Sequence, residues 1–318
     1  MELQPSLKPE VWNEHGELVS VLLCAPPLIN ISHSQTLEHV RWDAKVNHEK
    51  AYENFYAVKD VLRDAGVNII DYAEHLTAED RKLSNQLINR HFVRDLACVM
   101  GNTILPGEAG TFARRPEYVH AHLLMKDWFS EDTFLIHQND DMKAFECGDI
   151  MILNRDAVLI NIGMRTSMES IENIKQSIHC AGFSEIALIS LPRQIATLHL
   201  DMALNVANRD LIVSKHFIQH LPVQVLTEKA SRYEMSGDFF NRHGFDTYWL
   251  EEYETIPDIN FIHLDPETLL MSKDANQQMI KKHPKLQHKR IVAVNITELE
   301  KTGGGIRCIT LPIQRKKC

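Results

Sequence analysis

The stretch "FECGDIMILNRDAVLINIG" (residues 145–163) decides how the fold is read. An acidic head holding Glu146 and Asp149 leads into the apolar run "IMIL". The turn residues "NRD" interrupt it, and a second apolar run, "AVLINIG", follows. Two apolar runs split by turn chemistry read as a β-hairpin. A helix-like stretch at 168–181 and the β-rich "EIALISL" (185–191) come next. The order is strand, strand, helix, strand.

The same rhythm extends outward. β-rich runs occur at 19–26, 67–72, 132–138, 246–252, 260–273 and 289–296, with helix-like stretches at 44–65, 78–90, 116–129, 228–243 and 274–283. A doubly wound sheet would alternate one strand with one helix. Here two or three strands often precede each helix, which predicts a repeated ββαβ unit of about 50–60 residues in an α/β protein. Such repeats can close radially around a channel where loops from every unit meet. No linker or low-complexity segment divides the 318 residues, so one domain over 1–318 is expected.

Composition narrows the partners. The chain is 44% hydrophobic and 24% charged, as in ordinary globular proteins. Its net charge of −9 argues against nucleic acid and weakly favours a cationic or neutral small ligand. No apolar run is long enough to span a membrane. The opening "MELQPSLKPEVW" lacks a signal-peptide pattern. Six cysteines, at 24, 98, 147, 180, 308 and 318, stand singly without a CxxC, and read as reduced thiols of a cytoplasmic protein.

Four polar segments sit where strands begin or end. In "INRHFVRDLACVMGN" (88–102), Asp95 precedes an apolar strand and is either a capping acid paired with Arg94 or a site carboxylate. In "FECGD", Glu146 and Asp149 either repel, raising one pKa, or form a turn. In "TLHLDMAL" (197–204), His199 and Asp201 share a face if the segment is a strand. They fit metal ligands, a base with its anion, or a solvated edge. A metal would need a third ligand, and His120 and His122 lie in a helix-like stretch where i and i+2 diverge. In "KTGGGIRCIT" (301–310), three glycines precede Cys308. This is a glycine turn before a buried cysteine, or a nucleophile beside glycines that make room for a planar cation. Adjacent Arg307 would point away on a strand.

Together these residues form the parts list of a Cys–His–acid site. The surplus of carboxylates opposes an oxyanion hole. It suits a substrate that stays cationic. A guanidinium pairs with carboxylates through two parallel hydrogen bonds, each ion pair worth up to about 4 kcal/mol before desolvation at ~4 Å and an effective dielectric of ~20.

The ordered motifs "HGELVSVLLCAPP", "NRHFVRD", "ARRPE", "ECGD", "GMRTS", "LHLD" and "GGGIRC" resemble those of the guanidino-group-modifying enzymes: arginine deiminases, dimethylarginine dimethylaminohydrolases and amidinotransferases. The resemblance implies the pentein fold, a five-bladed α/β propeller. It implies Cys308 as nucleophile, His199 as general acid/base and Glu146 as the acid that orients it. Asp95 and Asp201 match the carboxylates that grip the guanidinium, with Asp149 also counted among the substrate-binding residues. Arg165 matches an arginine for the substrate carboxylate. Arg114, nineteen residues after Asp95, resembles its partner, and Asn89 sits six before Asp95, where deiminases carry an asparagine. No metal or organic cofactor is implied; the partner is a small guanidino compound, and a homodimer is compatible with the reading. Cys147 replaces the first glycine of the usual Glu-Gly-Gly-Asp.

Dimethylarginine hydrolases usually carry Lys two residues after the histidine, where this chain has Asp201. A second carboxylate favours an unsubstituted guanidinium, since methyl groups would leave one acid buried and unpaired. The expected activity is therefore arginine-deiminase-like. The chain's length resembles the dimethylarginine hydrolases, and amidinotransferases share the Cys, the His and both aspartates. A guanidino-binding protein without catalysis is the non-enzymatic alternative.

Overall fold

The computed structural model describes residues 7–28, 30–135, 143–251 and 256–317. Five sheets lie among them. In the first, β1 (Leu18–Leu23) runs antiparallel to the last strand, β16 (Leu311–Arg315), and parallel to β2 (Asn68–Asp71). The second is the hairpin of β3 (Ala97–Met100) and β4 (Thr103–Pro106). The third orders β11 (Ser231–Met235), β10 (Pro222–Leu226), β7 (Glu185–Ile189), β6 (Ala157–Asn161) and β5 (Ile150–Ile152). The fourth holds β8 (Leu204–Asn208), β9 (Leu211–Lys215) and β12 (Asp246–Leu250), and the fifth β13 (Ile262–Asp265), β14 (Thr268–Ser272) and β15 (Arg290–Val294).

One pairing recurs in all five. A first strand is antiparallel to a second, and the second leads through a helix to a parallel partner. This holds for β16–β1–β2, β5–β6–β7, β8–β9–β12 and β13–β14–β15. In the β3–β4 unit the helix Arg115–Trp128 returns the chain to Phe134, which bridges Ile104 in parallel. Parallel partners require such a crossover.

The helices form because their apolar residues recur at helical spacing. In Met168–Cys180, Ile171, Ile174 and Ile178 are buried with Val158, Ile160 and Ile186 of the sheet. Ser167 caps this helix by accepting from Ser170 N–H. In His48–Asp64, Phe55, Val58 and Leu62 pack with Val21 and Leu23. Each such side chain contributes roughly 1.5–3 kcal/mol by leaving water. Among the described residues no helix is long and apolar enough to cross a membrane.

Three local expectations are corrected. The stretch 228–243 divides into strand β11 and the helix Ser236–Arg242. β11 is largely exposed and is held by its register with β10, so apolar periodicity carries little of its signal. The "LHLD" segment is not a strand: Leu200–Met202 is a 3-10 turn with His199 extended before it. The expected strand at 132–138 contributes only the Phe134 bridge, and 136–138 lie outside the described residues, as do residue 252 of the stretch 246–252 and Cys318.

Candidate active site

The segment before the first strand of each unit turns inward with polar side chains. Three are 3-10 turns: Val93–Asp95 before β3, Cys147–Asp149 before β5 and Leu200–Met202 before β8. Ile256–Asp258 precedes β13, and the turn carrying Cys308 precedes β16. Residues far apart in sequence meet because they occupy equivalent places in the repeat.

An inner cavity of about 50 Å³ is lined by Cys308, His199, Glu146, Asp95, Arg114, Arg165, Asn89 and Phe92, with Gly303 and Gly304 among the rest of its wall. An outer cavity of about 280 Å³ shares Arg41, Asn89, Arg114 and Arg165 with it. The inner volume is of the order of a water or two; the outer one gives length for an aliphatic chain.

His199 Nε2 lies 2.8 Å from Glu146 Oε2, and its Nδ1 is 3.7 Å from Asp95 Oδ1. Burial opposes the imidazolium, but the Asp95 charge and the Glu146 hydrogen bond outweigh it and raise the His199 pKa to about 10. Burial likewise opposes the Glu146 carboxylate. The His199 hydrogen bond and the Arg114 and Arg165 charges prevail and hold it down at about 2. Glu146 Oε1 also accepts from Gly110 N–H at 2.8 Å. The pair is an imidazolium locked on a carboxylate. Burial, with Asp201 and Asp95 beside it, pushes the Cys308 thiol well above its usual range. The resting site thus holds a neutral thiol and a proton on His199.

Arg114 is committed to carboxylates. It donates to Asp95 Oδ2 at 2.6 Å and Glu117 Oε2 at 2.8 Å. It fixes Asp95 where a partner for the substrate carboxylate was expected. Arg165, 3.4 Å from Glu146 Oε1, lies on the wall shared by both cavities. Asn89 is also on that wall; its Oδ1 accepts from Trp42 Nε1 at 2.9 Å and its N–H donates to Glu117.

Asp201 and Asp149 differ from their expected placement. Asp201 is fully buried behind Cys308, with Oδ2 accepting from Arg307 at 2.9 Å and lying 3.9 Å from Sγ, while Oδ1 has no partner among the described residues. Arg307 does not point away. It lies in a turn, and its guanidinium runs inward to Asp201 and Glu14. Asp149 is a scaffold acid: it accepts from Asn161 at 2.8 Å, Thr166 at 2.7 Å and Leu200 N–H at 3.1 Å. Burial raises its pKa to about 7. Its bond to Leu200 N–H ties the "ECGD" turn to the His199 turn.

The glycines before Cys308 have local reasons. Gly303 takes φ +91°, and a Cβ on Gly304 would lie 2.4 Å from the Phe92 ring. They let the turn close on Phe92, beside the cavity they also line. Cys147 is buried and tolerated, since the close approach falls on Gly148 instead.

Asp95, Glu146 and His199 offer one atom each within 4.8 Å of one another, a spacing a metal could use. Arg114 and Arg165 already sit on these carboxylates at 2.6 and 3.4 Å. Their charge and hydrogen bonds compete with a cation there, and the donor set fits an ion-paired acid/base better. Asn260 and Glu14 were not singled out from the sequence. Asn260 starts the run "NFIHLDPETLLMSK", one place after Ile259, where the other units also carry site residues.

The arginine deiminase family model matches residues 28–247. The arginine deiminase of Listeria monocytogenes serovar 1/2a is 23% identical over 255 residues, covering 72% of this chain and 62% of the relative. The chain thus spans about six tenths of the length of that deiminase. An uncharacterized protein of Bacillus subtilis, YkgA, is 22% identical over 308 residues, covering 95% and 94%. Among solved structures, dimethylarginine dimethylaminohydrolase from Pseudomonas aeruginosa in complex with citrulline superposes with TM-score 0.68 at 17% identity, covering 93% of this chain and 99% of that one. An amidinotransferase of saxitoxin biosynthesis from Microseira wollei does so with TM-score 0.68 at 13% identity, covering 98% of both. The chain shares their α/β fold.

Proposed function

The chain belongs to the arginine deiminase family, and from that premise we propose that it hydrolyses the guanidino group of arginine or a close arginine derivative through a covalent intermediate on Cys308. The observation that carries this reading is the convergence of Cys308, His199–Glu146 and Asp95 on one buried cavity from four separate units. We read the five recurring units as the blades of a pentein propeller and residues 1–318 as one catalytic domain.

The substrate's chain lies in the outer cavity, with its carboxylate toward Arg165. Its guanidinium enters the inner one. On the wall of the inner cavity Asp95 Oδ1 lacks a strong donor and takes the guanidinium N–H groups, while Asp201 lies beside the sulfur, off that wall. The incoming positive charge favours the thiolate among these acids, and the thiol proton passes to solvent as the substrate enters. Cys308 Sγ attacks the guanidinium carbon, and His199 gives its proton to the departing nitrogen. Ammonia leaves, and a thiouronium stays on sulfur. His199, now neutral, takes a proton from water as the water oxygen adds to the same carbon. The carbon–sulfur bond breaks, citrulline is released, and its hydroxyl proton returns the sulfur to the thiol. Glu146 keeps His199 oriented and basic throughout.

The test is incubation of the purified protein with L-arginine, dimethylarginine and an arginine–glycine mixture, with Cys308→Ala as control. Citrulline and ammonia from arginine, absent in the variant, support the reading. Dimethylamine as the main amine would reassign the substrate. Ornithine formed only with glycine would make the protein a transferase.

A further inference from the structure

Asn260 is fully buried in the short segment between the Ile256–Asp258 turn and β13. Its Oδ1 accepts from Arg307 N–H at 2.8 Å and Cys308 N–H at 3.4 Å. Its Nδ2 donates to Asp201 C=O at 3.2 Å and Cys308 Sγ at 3.3 Å. The network fixes the amide's orientation: two backbone N–H groups require oxygen on one side, so NH₂ faces the sulfur. The nucleophile turn is built around this side chain, since a Cβ on Gly305 would lie 2.6 Å from Asn260 Oδ1. The other side chain bonded to Sγ, Asp201, is an acceptor that opposes the thiolate.

We infer that Asn260 is a catalytic residue: its Nδ2–H is the side-chain donor that holds Cys308 Sγ and stabilises it as thiolate. The inference rests on the nucleophile role proposed above. A thiol at Sγ donates toward Asp201 Oδ2 and accepts from Asn260. When the proton leaves, the Asp201 contact turns repulsive and the Asn260 contact becomes a charge-assisted hydrogen bond. Losing a hydrogen bond to a charged group moves an ionisation by about one to two pH units. Well below the thiol pKa the thiolate population changes tenfold per unit.

The experiment uses Asn260→Asp, which keeps the oxygen for the backbone and removes the donor, and Asn260→Ala as a second variant. The rate at which iodoacetamide alkylates Cys308 is followed at fixed pH by peptide mass spectrometry, with thermal melting and arginine kinetics alongside. The expected result is alkylation slowed tenfold or more in folded protein, and kcat lowered to match at little-changed KM. Alkylation within threefold of the parent in either folded variant overturns the assignment, even if kcat falls, because a merely structural asparagine would do that. Alkylation needs no turnover. Slowed alkylation of the variants, with a parent that hydrolyses no guanidino compound, would support Asn260 while refuting the proposed reaction.

Discussion

Gly148→Ala tests whether catalysis depends on the packing between the "ECGD" turn and His199. A Cβ there would lie 2.6 Å from Asp95 Oδ1 and 2.9 Å from His199 Nδ1, where ordinary contact begins at 3.4 Å, so the two groups must retreat by roughly 0.8 and 0.5 Å. Gly148 has no positive φ, so backbone strain does not contribute. A misplacement of about 1 Å costs on the order of 10²-fold in rate, and overpacking costs about 1–3 kcal/mol of stability. The assay is citrulline formation from arginine together with urea unfolding. Gly66→Ala is the control: Gly66 has φ +77° and open space around its Cβ position, so alanine costs about 1–2 kcal/mol of backbone strain and no activity. Both variants lose stability, but only Gly148→Ala loses kcat, by roughly 30- to 100-fold. Folded Gly148→Ala with kcat within threefold of the parent would refute the reasoning.

Other perturbations follow from the same geometry. Glu146→Gln removes one of the charges that, with Asp95, keep His199 protonated; kcat should drop about 10²–10⁴-fold, and steady-state kinetics will show whether KM moves little, as expected of a group that does not touch substrate. Arg165→Ala should raise KM for arginine by about tenfold or more through loss of a charge-assisted hydrogen bond, and agmatine, which lacks the carboxylate, should be insensitive to it. Stability should depend on pH through the His199–Glu146 pair. His199 is raised from 6.5 to about 10 by folding, so its contribution is full below 6.5 and is lost as pH rises through about 10. Glu146 is lowered from 4.5 to about 2, so its contribution is present above 4.5 and is lost as pH falls through about 2. Each limb has a slope of at most about 1.4 kcal/mol per pH unit. Urea unfolding of His199→Asn against pH should flatten the alkaline limb; an unchanged limb would assign it elsewhere.

The repeat was legible in the sequence because hairpins such as "ILNRDAVLI" carry turn residues between apolar runs. Exposed edge strand β11 was not, because main-chain pairing with β10 defines it more than its own side chains do. Within the site, Cys308, His199, Glu146 and Asp95 announce themselves as reactive or charged groups in turns. Pairing across the chain does not. Arg114 on Asp95, or Arg307 on Asp201 and Glu14, depends on which units face each other. Asn260 was hidden for another reason: an asparagine before a strand reads as an ordinary turn residue. Only its four hydrogen bonds reveal that it holds the turn carrying Cys308. His199 and Asp201 were placed together by strand periodicity, but a 3-10 turn separates their roles, one facing the cavity and one lying behind the sulfur.

The most direct test of the central claim is acid quenching of the protein during turnover of arginine, followed by mass measurement of the Cys308 peptide. The account predicts an adduct with the mass of arginine less one ammonia, absent from Cys308→Ala. An adduct of the amidino group alone, with ornithine released, would contradict hydrolysis by loss of ammonia, and turnover with no adduct on Cys308 in a variant slowed at the second step would contradict the nucleophile itself.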